Sequence, residues 1–506
     1  MRVFLLHAFP HHPARVVNPP WPWLPTLGWR VILGLGICVF STASSVVAQS
    51  TLTNAAATPP QQASAAVILP APGIGLCPEL VQDFNDHDGE LGLRREDLLT
   101  RCREVVIESG RTGSNINQVR DGLQAMAPEE VATQGTSMTE TSNTQFSNIT
   151  TRLAALRGGA TGISLRQFAL HLDRQTIPLN LVASNVPMGL AAEKEVPERS
   201  GAFKRLGIFA SGEVNVGDKD ATSRESGFDF ESYGLTLGAD YRLNPKVVLG
   251  VALGYMTTDI DLDQDGGQLK ASGFSGSLYG TYHVSDPFYI DGIVSVGRND
   301  YDIDRAIRYS IRELNPDGTP TGGMVTIDQV AQADSDGTWY GFSLSTGYDF
   351  YVAGLTVGPI ARLNYSRADL DGYQENIDNT AAGSGLALSV EGQKITSFST
   401  VLGGQASYAI SLPWGVVLPQ LRLEWEHEFE NASRTIRANF LEDPTPDDTS
   451  QIQLLTDAPD RDFFNIAAGV SAVFRRGLSA FVQYQTVIGL ADVNSHHVAL
   501  GLRIEL

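Results

Sequence analysis

The strongest constraint on the fold is an alternation of apolar residues with polar or small ones, which begins at Gly207 and continues to the end of the sequence. It is clearest in residues 247–256, where one set of alternate positions is large and apolar: Val247, Leu249, Val251, Leu253 and Tyr255. Successive side chains of a β-strand point to opposite faces, so this period of two predicts strands with one apolar face. We therefore expect an all-β region from residue 207 onward.

Twelve such segments can be recognised, and the connections between them alternate in length. They lie near residues 207–216, 227–242, 246–260, 269–284, 287–302, 337–352, 354–368, 394–411, 415–430, 463–475, 477–488 and 495–506. Short turns at 244–245, 286–287, 353–354, 413–414 and 476–477 alternate with longer loops, and the loops at 303–336, 369–393 and 431–462 exceed twenty residues. Short turns on one rim and long loops on the other are typical of a transmembrane β-barrel. A soluble sandwich or lipocalin-like barrel is the alternative, but strands of about 10–18 residues exceed the soluble mode of ~5–6.

The opposite faces of the strands carry polar and charged side chains, as the wall of a water-filled lumen would. The residues predicted to face the lumen are Arg362, Arg422, Glu424, Glu426 and Glu428. Upstream, residues 129–156 are rich in Thr, Ser, Asn and Gln, with sparse apolar positions. Because such a composition is poor for a free-standing helix, we predict a helix enclosed by a polar surface. At 1.5 Å per residue it would span about 42 Å, enough to cross a lipid core of ~30 Å.

The first 48 residues have the composition of an export signal. Arginines precede the apolar run 31–40, no acidic residue occurs before residue 49, and small residues follow. These features predict a signal peptide cleaved between Ala48 and Gln49. An anchor helix is the alternative, but ten apolar residues cover only about 15 Å.

Residues 49–125 form a short segment before the predicted lumenal helix. Residues 49–76 are rich in Ala, Pro, Thr and Gln and predict a flexible leader, while residues 78–110 contain two short helical patterns. If the signal is removed, Cys77 and Cys102 remain, and such a pair in an oxidising compartment predicts a disulfide. Two unpaired thiols are the alternative.

Several segments of the sequence resemble the translocator barrels of classical monomeric autotransporters. The family's barrel motif is matched by Pro419, Arg422, Trp425, His427, Glu428 and Phe429. The stretches 126–130 and 152–157 resemble the helix that threads the barrel in that family, and Gly501-Leu-Arg503 resembles its closing strand. The resemblance covers residues 123–506. Together with the export signal predicted above, it gives the domain order 1–48 signal peptide, 49–125 passenger-like segment, 126–206 pore helix and connector, and 207–506 barrel.

The resemblance also implies where the protein resides and which partners it meets. We expect a monomer in the bacterial outer membrane, surrounded by its lipid and inserted with the help of periplasmic chaperones and the barrel-insertion machinery. The C-terminal insertion signal would be formed by Leu502, Ile504 and Leu506.

Composition and motifs argue against several other functions. With 57 acidic and 36 basic residues the net charge is −21, which disfavours nucleic-acid binding. Neither a Gly-x-Ser-x-Gly nor a Gly-Asp-Ser-Leu block occurs, so no enzyme is predicted. His496 and His497 are adjacent and would point to opposite faces of a strand, so they predict no shared metal. We expect no catalytic residue, metal or cofactor.

The predicted function is translocation, with display or secretion of the protein's own N-terminal segment. Twelve strands is an even number, so both ends of the barrel lie on the rim of the short turns, which bacterial barrels keep periplasmic. If a helix fills the lumen, residues 49–125 emerge on the opposite side. The alternative is a plugged barrel with a structural or adhesive role, whose N-terminal segment stays in the periplasm.

Overall fold

The structure, a computed structural model, describes residues 52–69, 76–86, 92–157, 169–172, 175–178, 205–315, 319–446, 450–474 and 478–505. The expected signal peptide, with its cleavage site at Ala48 and Gln49, lies outside the described residues. Within them, no helix combines the length and the hydropathy required to cross a bilayer.

Twelve antiparallel strands close into a barrel, as the alternation predicted. They are β1 Leu206–Lys219, β2 Phe228–Asn244, β3 Val247–Leu262, β4 Gly267–His283, β5 Phe288–Leu314, β6 Pro320–Tyr348, β7 Leu355–Leu370, β8 Gln393–Tyr408, β9 Gly415–Glu428, β10 Asp462–Phe474, β11 Leu478–Ile488 and β12 Val493–Glu505. The short strands Phe350–Val352 and Ile410–Leu412 continue β6 and β8 beyond one interrupting residue. Each strand pairs with the next, and β12 pairs with β1 from Val493↔Lys219 to Glu505↔Gly207. Closure leaves no open sheet edge in the lipid.

The apolar face of the strands changes sides near the rim of the long loops. In the middle of β5, Val294 and Val296 point outward and are exposed, while Ser295 is buried inside. Further along the same strand the outward positions become charged, beginning with Arg298, and the inward positions become large and apolar, for example Ile307. The strand keeps its period of two, but its outer surface faces lipid in one part and water in the other.

The prediction of a loop at 303–336 is wrong for most of this segment. β5 and β6 continue through it as one hairpin, with paired residues from Phe288↔Tyr348 to Leu314↔Pro320. The other two long loops contribute the short strands Tyr373–Gln374, Leu388–Val390, Thr435–Phe440 and Ile452–Leu455, which form a four-stranded sheet. The long-loop rim therefore carries ordered structure that buries apolar residues of its own.

The described residues before the lumenal region include four helices of ten residues or more, and the prediction of a flexible leader over residues 49–76 is wrong for the described part, 52–69. They are α1 Pro59–Ile68, α2 Leu76–Asp86, α3 Leu93–Ser109 and α4 Ile116–Ala125. Thr58 and Gln61 form a capping box at the start of α1, where Thr58 Oγ1 accepts the Gln61 N–H. The sequence contains this signal, Thr58-Pro-Pro-Gln61, within a segment whose overall composition is that of a linker. The predicted disulfide Cys77–Cys102 is confirmed and joins α2 to α3, with Cα atoms 5.9 Å apart.

A fifth helix, α5 Glu130–Arg157, occupies the lumen and matches the predicted range of 129–156 within one residue. Its 28 residues span about 42 Å. Apolar residues such as Ile149 and Leu153 are buried against the barrel wall, and so are polar ones such as Gln145 and Asn148. The barrel wall thus replaces the water that this polar helix would otherwise need.

Candidate functional site

The lumenal helix has a defined direction relative to the two rims. Near its C-terminal end, Arg152 pairs with Asp240, which lies close to the short turn between β2 and β3. At its N-terminal end, Glu130 lies 3.6 Å from Arg305, on the part of β5 that extends past the apolar belt. The helix therefore runs from the long-loop rim to the short-turn rim.

A buried ion pair anchors the C-terminal end of α5. The Arg152 Nε donates to Asp240 Oδ2 at 2.8 Å, and both side chains are about 3% exposed. The Tyr279 hydroxyl donates to the same carboxylate oxygen at 3.4 Å. The guanidinium also lies over the ring of Phe209, 5.1 Å from its centroid. A Cβ at Gly207 would lie 2.8 Å from Asp240 Oδ1, so this approach requires a glycine.

Amide and hydroxyl groups hold the middle of the helix. Gln145 Nε2 donates to Ser277 Oγ at 2.9 Å, and its Oε1 accepts from Thr236 Oγ1 at 3.3 Å. One turn further, Asn148 donates to Thr236 Oγ1 at 3.2 Å and accepts from Ser211 Oγ at 3.1 Å. These contacts satisfy the buried amides of Gln145 and Asn148, which helps to explain why a polar sequence is stable there.

A glycine lets the upper part of α5 pass close to the barrel wall. A Cβ at Gly135 would lie 2.5 Å from Arg434 Nη2 and 2.9 Å from Ile395 Cδ1. Arg434 is held in place because its Nη1 donates to Gln393 Oε1 at 2.8 Å. Glycine destabilises a helix relative to alanine. The close approach of the barrel wall explains why a glycine occurs at this position.

The residues predicted from the sequence to face the lumen are each paired with or hydrogen-bonded to groups of the barrel wall. Arg362 Nη2 donates to Glu424 Oε2 at 3.0 Å, and Arg422 Nε lies 3.5 Å from the other oxygen of Glu424. Glu426 accepts from Ser399 and Asn465, at 2.6 and 3.0 Å. Glu428 stands nearer the rim, where it accepts from Ser397 Oγ and the Phe398 N–H at 2.6 and 2.9 Å.

Trp425, His427 and Phe429 of the barrel motif lie on the outer wall near the long-loop rim. His427 Nδ1 is 2.8 Å from Asp462 Oδ1, which also accepts from Trp425 Nε1 at 3.1 Å. The rings of His427 and Phe429 pack edge to face, 4.7 Å apart. Alternate positions of β9 thus serve two surfaces, because Arg422 and Glu428 point inward. Pro419 lies on the same strand.

Part of the lumen on the short-turn side is not filled by α5. A cavity of about 150 Å³ with polar and apolar lining separates the helix from the β6–β12 part of the wall. Its polar lining includes Asn148, Arg152, Gln405, Arg422, Gln483 and Arg503. Within the described residues, no three His, Cys, Asp or Glu side chains converge in a manner suited to a metal ion.

The comparison with protein families decides the assignment. A family model described as the autotransporter β-domain matches residues 208–485, more than half of the chain. The chain belongs to this family. It is an autotransporter-type barrel of the bacterial outer membrane, in contact with outer-membrane lipid.

Curated relatives of this autotransporter barrel are much longer proteins. The chain is 25% identical to outer membrane protein A of Rickettsia conorii over 321 residues, which are 62% of this chain and 15% of that protein. It is 25% identical to the esterase EstA of Pseudomonas aeruginosa over 216 residues, 42% of this chain and 30% of that protein. The chain therefore spans only a small part of the first of these and under a third of the second.

Solved translocator domains are also similar. The domain of the autotransporter NalP from Neisseria meningitidis is 14% identical, with a TM-score of 0.44 over 61% of this chain and 90% of that one. The β-domain of the Bordetella autotransporter BrkA is 20% identical, with a TM-score of 0.41 over 60% of this chain and all of that one.

Sequence reasoning missed two residues that organise the site. Arg152 belongs to the stretch that resembles the family's helix, but nothing in the sequence pairs it with Asp240, 88 positions away. Arg305 was assigned to a loop. Continuing the alternation of β5 through residue 314 would have placed it on the inward face beside Ile303 and Ile307. Of the predicted insertion signal, Leu502 is 61% exposed on the outer surface, Ile504 lies in β12, and Leu506 is outside the described residues.

Proposed function

We propose that this autotransporter barrel displays its own residues 49–125 on the outer face of the membrane and keeps α5 in the pore. The direction of α5 carries the proposal. Its C-terminal end is anchored at the short-turn rim through Arg152 and Asp240, and its N-terminal end lies by Arg305 beyond the apolar belt. Bacterial barrels keep short turns in the periplasm, so the residues before α5 would lie outside the cell.

The barrel would act passively. Its polar network around Glu424 and the amide contacts of α5 provide a path in which a polar chain finds hydrogen-bonding partners. The segment would thread through as a hairpin and leave α5 behind. Periplasmic chaperones and the insertion machinery would deliver the barrel, with Leu502, Ile504 and Leu506 as the insertion signal, and the barrel would function as a monomer.

The geometry of the lumen favours transport over catalysis. The carboxylates of Glu424, Glu426 and Glu428 are engaged by arginine, serine and amide donors. A general acid or base needs a carboxylate that can reach a substrate. We therefore propose no catalytic role for these residues.

Single cysteines on the two rims and on the segment test this topology. Thr112, between α3 and α4, and Thr319, at the tip of the β5–β6 hairpin, are both exposed, and Asn244 is the exposed last residue of β2, next to a short turn. On intact cells, an impermeant maleimide should label Thr112→Cys and Thr319→Cys but not Asn244→Cys. Lysed cells provide the control, because all three cysteines should then react.

Two outcomes contradict the proposal in different ways. Labelling of Asn244→Cys without Thr319→Cys would reverse the barrel in the membrane. Labelling of Thr319→Cys without Thr112→Cys would leave the barrel as described and place the N-terminal segment on the periplasmic side.

A further inference from the structure

The four N-terminal helices do not have a hydrophobic core of their own. One continuous cluster of buried apolar side chains joins them to the long-loop side of the barrel. From the helices it includes Leu80, Leu98, Val105, Val119 and Leu123, and from the barrel it includes Ile307, Ile311, Ile327, Leu386, Ile452 and Leu454. A segment of this size buries little surface alone and is marginal without additional support. The barrel loops supply that support here.

Arg305 connects the helices, the loops and α5 through one guanidinium. It is about 2% exposed and forms a bidentate pair with Glu375, at 2.7 and 2.6 Å. It also donates to the carbonyl oxygens of Ala125, the last residue of α4, and Leu386, both at 2.8 Å. Buried arginine pairs with this geometry are specific because the planar group fixes every partner at once.

A second contact joins α3 to the loop that follows β7. The Asp97 carboxylate Oδ2 accepts the N–H groups of Gly383 and Gly385, at 2.9 and 3.0 Å. A Cβ at Gly385 would lie 2.2 Å from the Arg94 carbonyl oxygen and 2.6 Å from the Leu98 nitrogen. The loop and the helix backbone can touch in this way only where a side chain is missing.

The chain between the helices and α5 is too short to let the segment move away. α4 ends at Ala125 and α5 begins at Glu130, so the link extends about 15 Å at most. Gln124 and Glu129 are also hydrogen-bonded to each other across this link. A domain on a flexible tether would need a longer and freer connection.

We infer that the described residues 52–69, 76–86 and 92–126 are a fixed lid whose docking surface is the set of long barrel loops. The lid folds as one unit against that surface and covers the outer mouth above α5, held by Arg305 and by the contact of Asp97 with Gly383 and Gly385. That the mouth is the outer one rests on the proposed function, whereas the docking itself does not depend on the orientation in the membrane.

Hydrogen exchange on the full chain in lipid nanodiscs tests the lid. Gly385→Ala adds one methyl group against α3 without changing charge, and the backbone there is not in the left-handed region. We expect α1 to α4 to exchange together at least tenfold faster, while the apolar belt of β1–β12 keeps its protection. The matched control is Gly292→Ala, since a Cβ at Gly292 meets nothing within 4 Å.

A second pair of variants removes the hydrogen bonds of Arg305 instead of crowding the contact at Gly385. Arg305→Gln should accelerate hydrogen exchange in α1 and α2 as much as in α4. Only α4 contains a hydrogen-bonding partner of Arg305, but the described helices share one core. Arg308→Gln is the control, since Arg308 is on the same strand in an exposed pair with Asp328.

Unchanged protection of α1 and α2 in both Gly385→Ala and Arg305→Gln would show an independent domain and overturn the lid. An equal loss of protection in the barrel strands would overturn it as well. A failure of surface labelling at Thr112→Cys would reject display of the segment but leave this exchange result intact, so the two proposals fail separately.

Discussion

The most informative perturbation of the pore is the removal of one partner from the buried pair at the end of α5. Arg152→Met keeps most of the side-chain volume but leaves Asp240, about 3% exposed, with the Tyr279 hydroxyl at 3.4 Å. Breaking a buried pair by removing one partner costs about 3–5 kcal/mol, because the remaining charge is uncompensated. The lost stacking on Phe209 adds about 0.5–2 kcal/mol.

Hydrogen exchange of the last two turns of α5 measures this cost. A loss of 3–5 kcal/mol corresponds to about 10²- to 4 × 10³-fold faster exchange, since each 1.4 kcal/mol is a factor of ten. Asp240→Asn in the Arg152→Met background removes the uncompensated charge. The double variant should therefore recover most of the protection and differ from the native protein by about 1–2 kcal/mol, mainly the contact with Phe209.

The control and the contradicting result follow from the same reasoning. Arg308→Met breaks an exposed pair with Asp328 and should change the exchange of α5 by less than threefold. If the double variant exchanges as fast as Arg152→Met alone, the charge of Asp240 is not what the arginine compensates, and the anchoring role assigned to the pair is refuted.

The remaining predictions concern the lid. Burial raises the pKa of Glu104 from 4.5 to about 7, although nearby Arg101 opposes the shift. The stability that this carboxyl contributes is therefore present below pH 4.5 and lost as pH rises through 7. Protection of α3 against hydrogen exchange, corrected for intrinsic exchange, should fall between pH 5 and pH 8. Glu104→Gln should make this protection less dependent on pH. An equal fall in the variant would exclude Glu104 as the source of the pH dependence. Replacing Cys77 and Cys102 by serine opens a cross-link with a sequence separation of 25, worth about 3 kcal/mol. Exchange should then accelerate in α1 to α4 together, because they share one core, and acceleration confined to α2 would contradict the single unit.

The alternation of residues was sufficient to predict the barrel. Strands such as β3 show a period of two without interruption, and this pattern is local, so it can be read from neighbouring residues alone. The strand number, the direction of the turns and the polar helix at 129–156 follow from the same kind of information. These features depend on which face of a strand or helix each residue occupies.

The lid and its docking surface could not be predicted in this way. The alternation of β5 continues past Arg298, but the apolar side chains there are on the inner face. This pattern predicts a strand only if a second surface is known to cover that inner face. Arg305, Glu375 and Ala125 meet across 70 and 180 positions of sequence.

The sequence by itself thus determined the barrel, because lipid outside and water inside act on each strand separately and leave a pattern in its own residues. Only the tertiary structure decided that α1 to α4 pack on the long loops and that Arg152 meets Asp240. Each of those contacts depends on two surfaces formed by distant segments, and neither surface carries a repeating pattern that would identify the other.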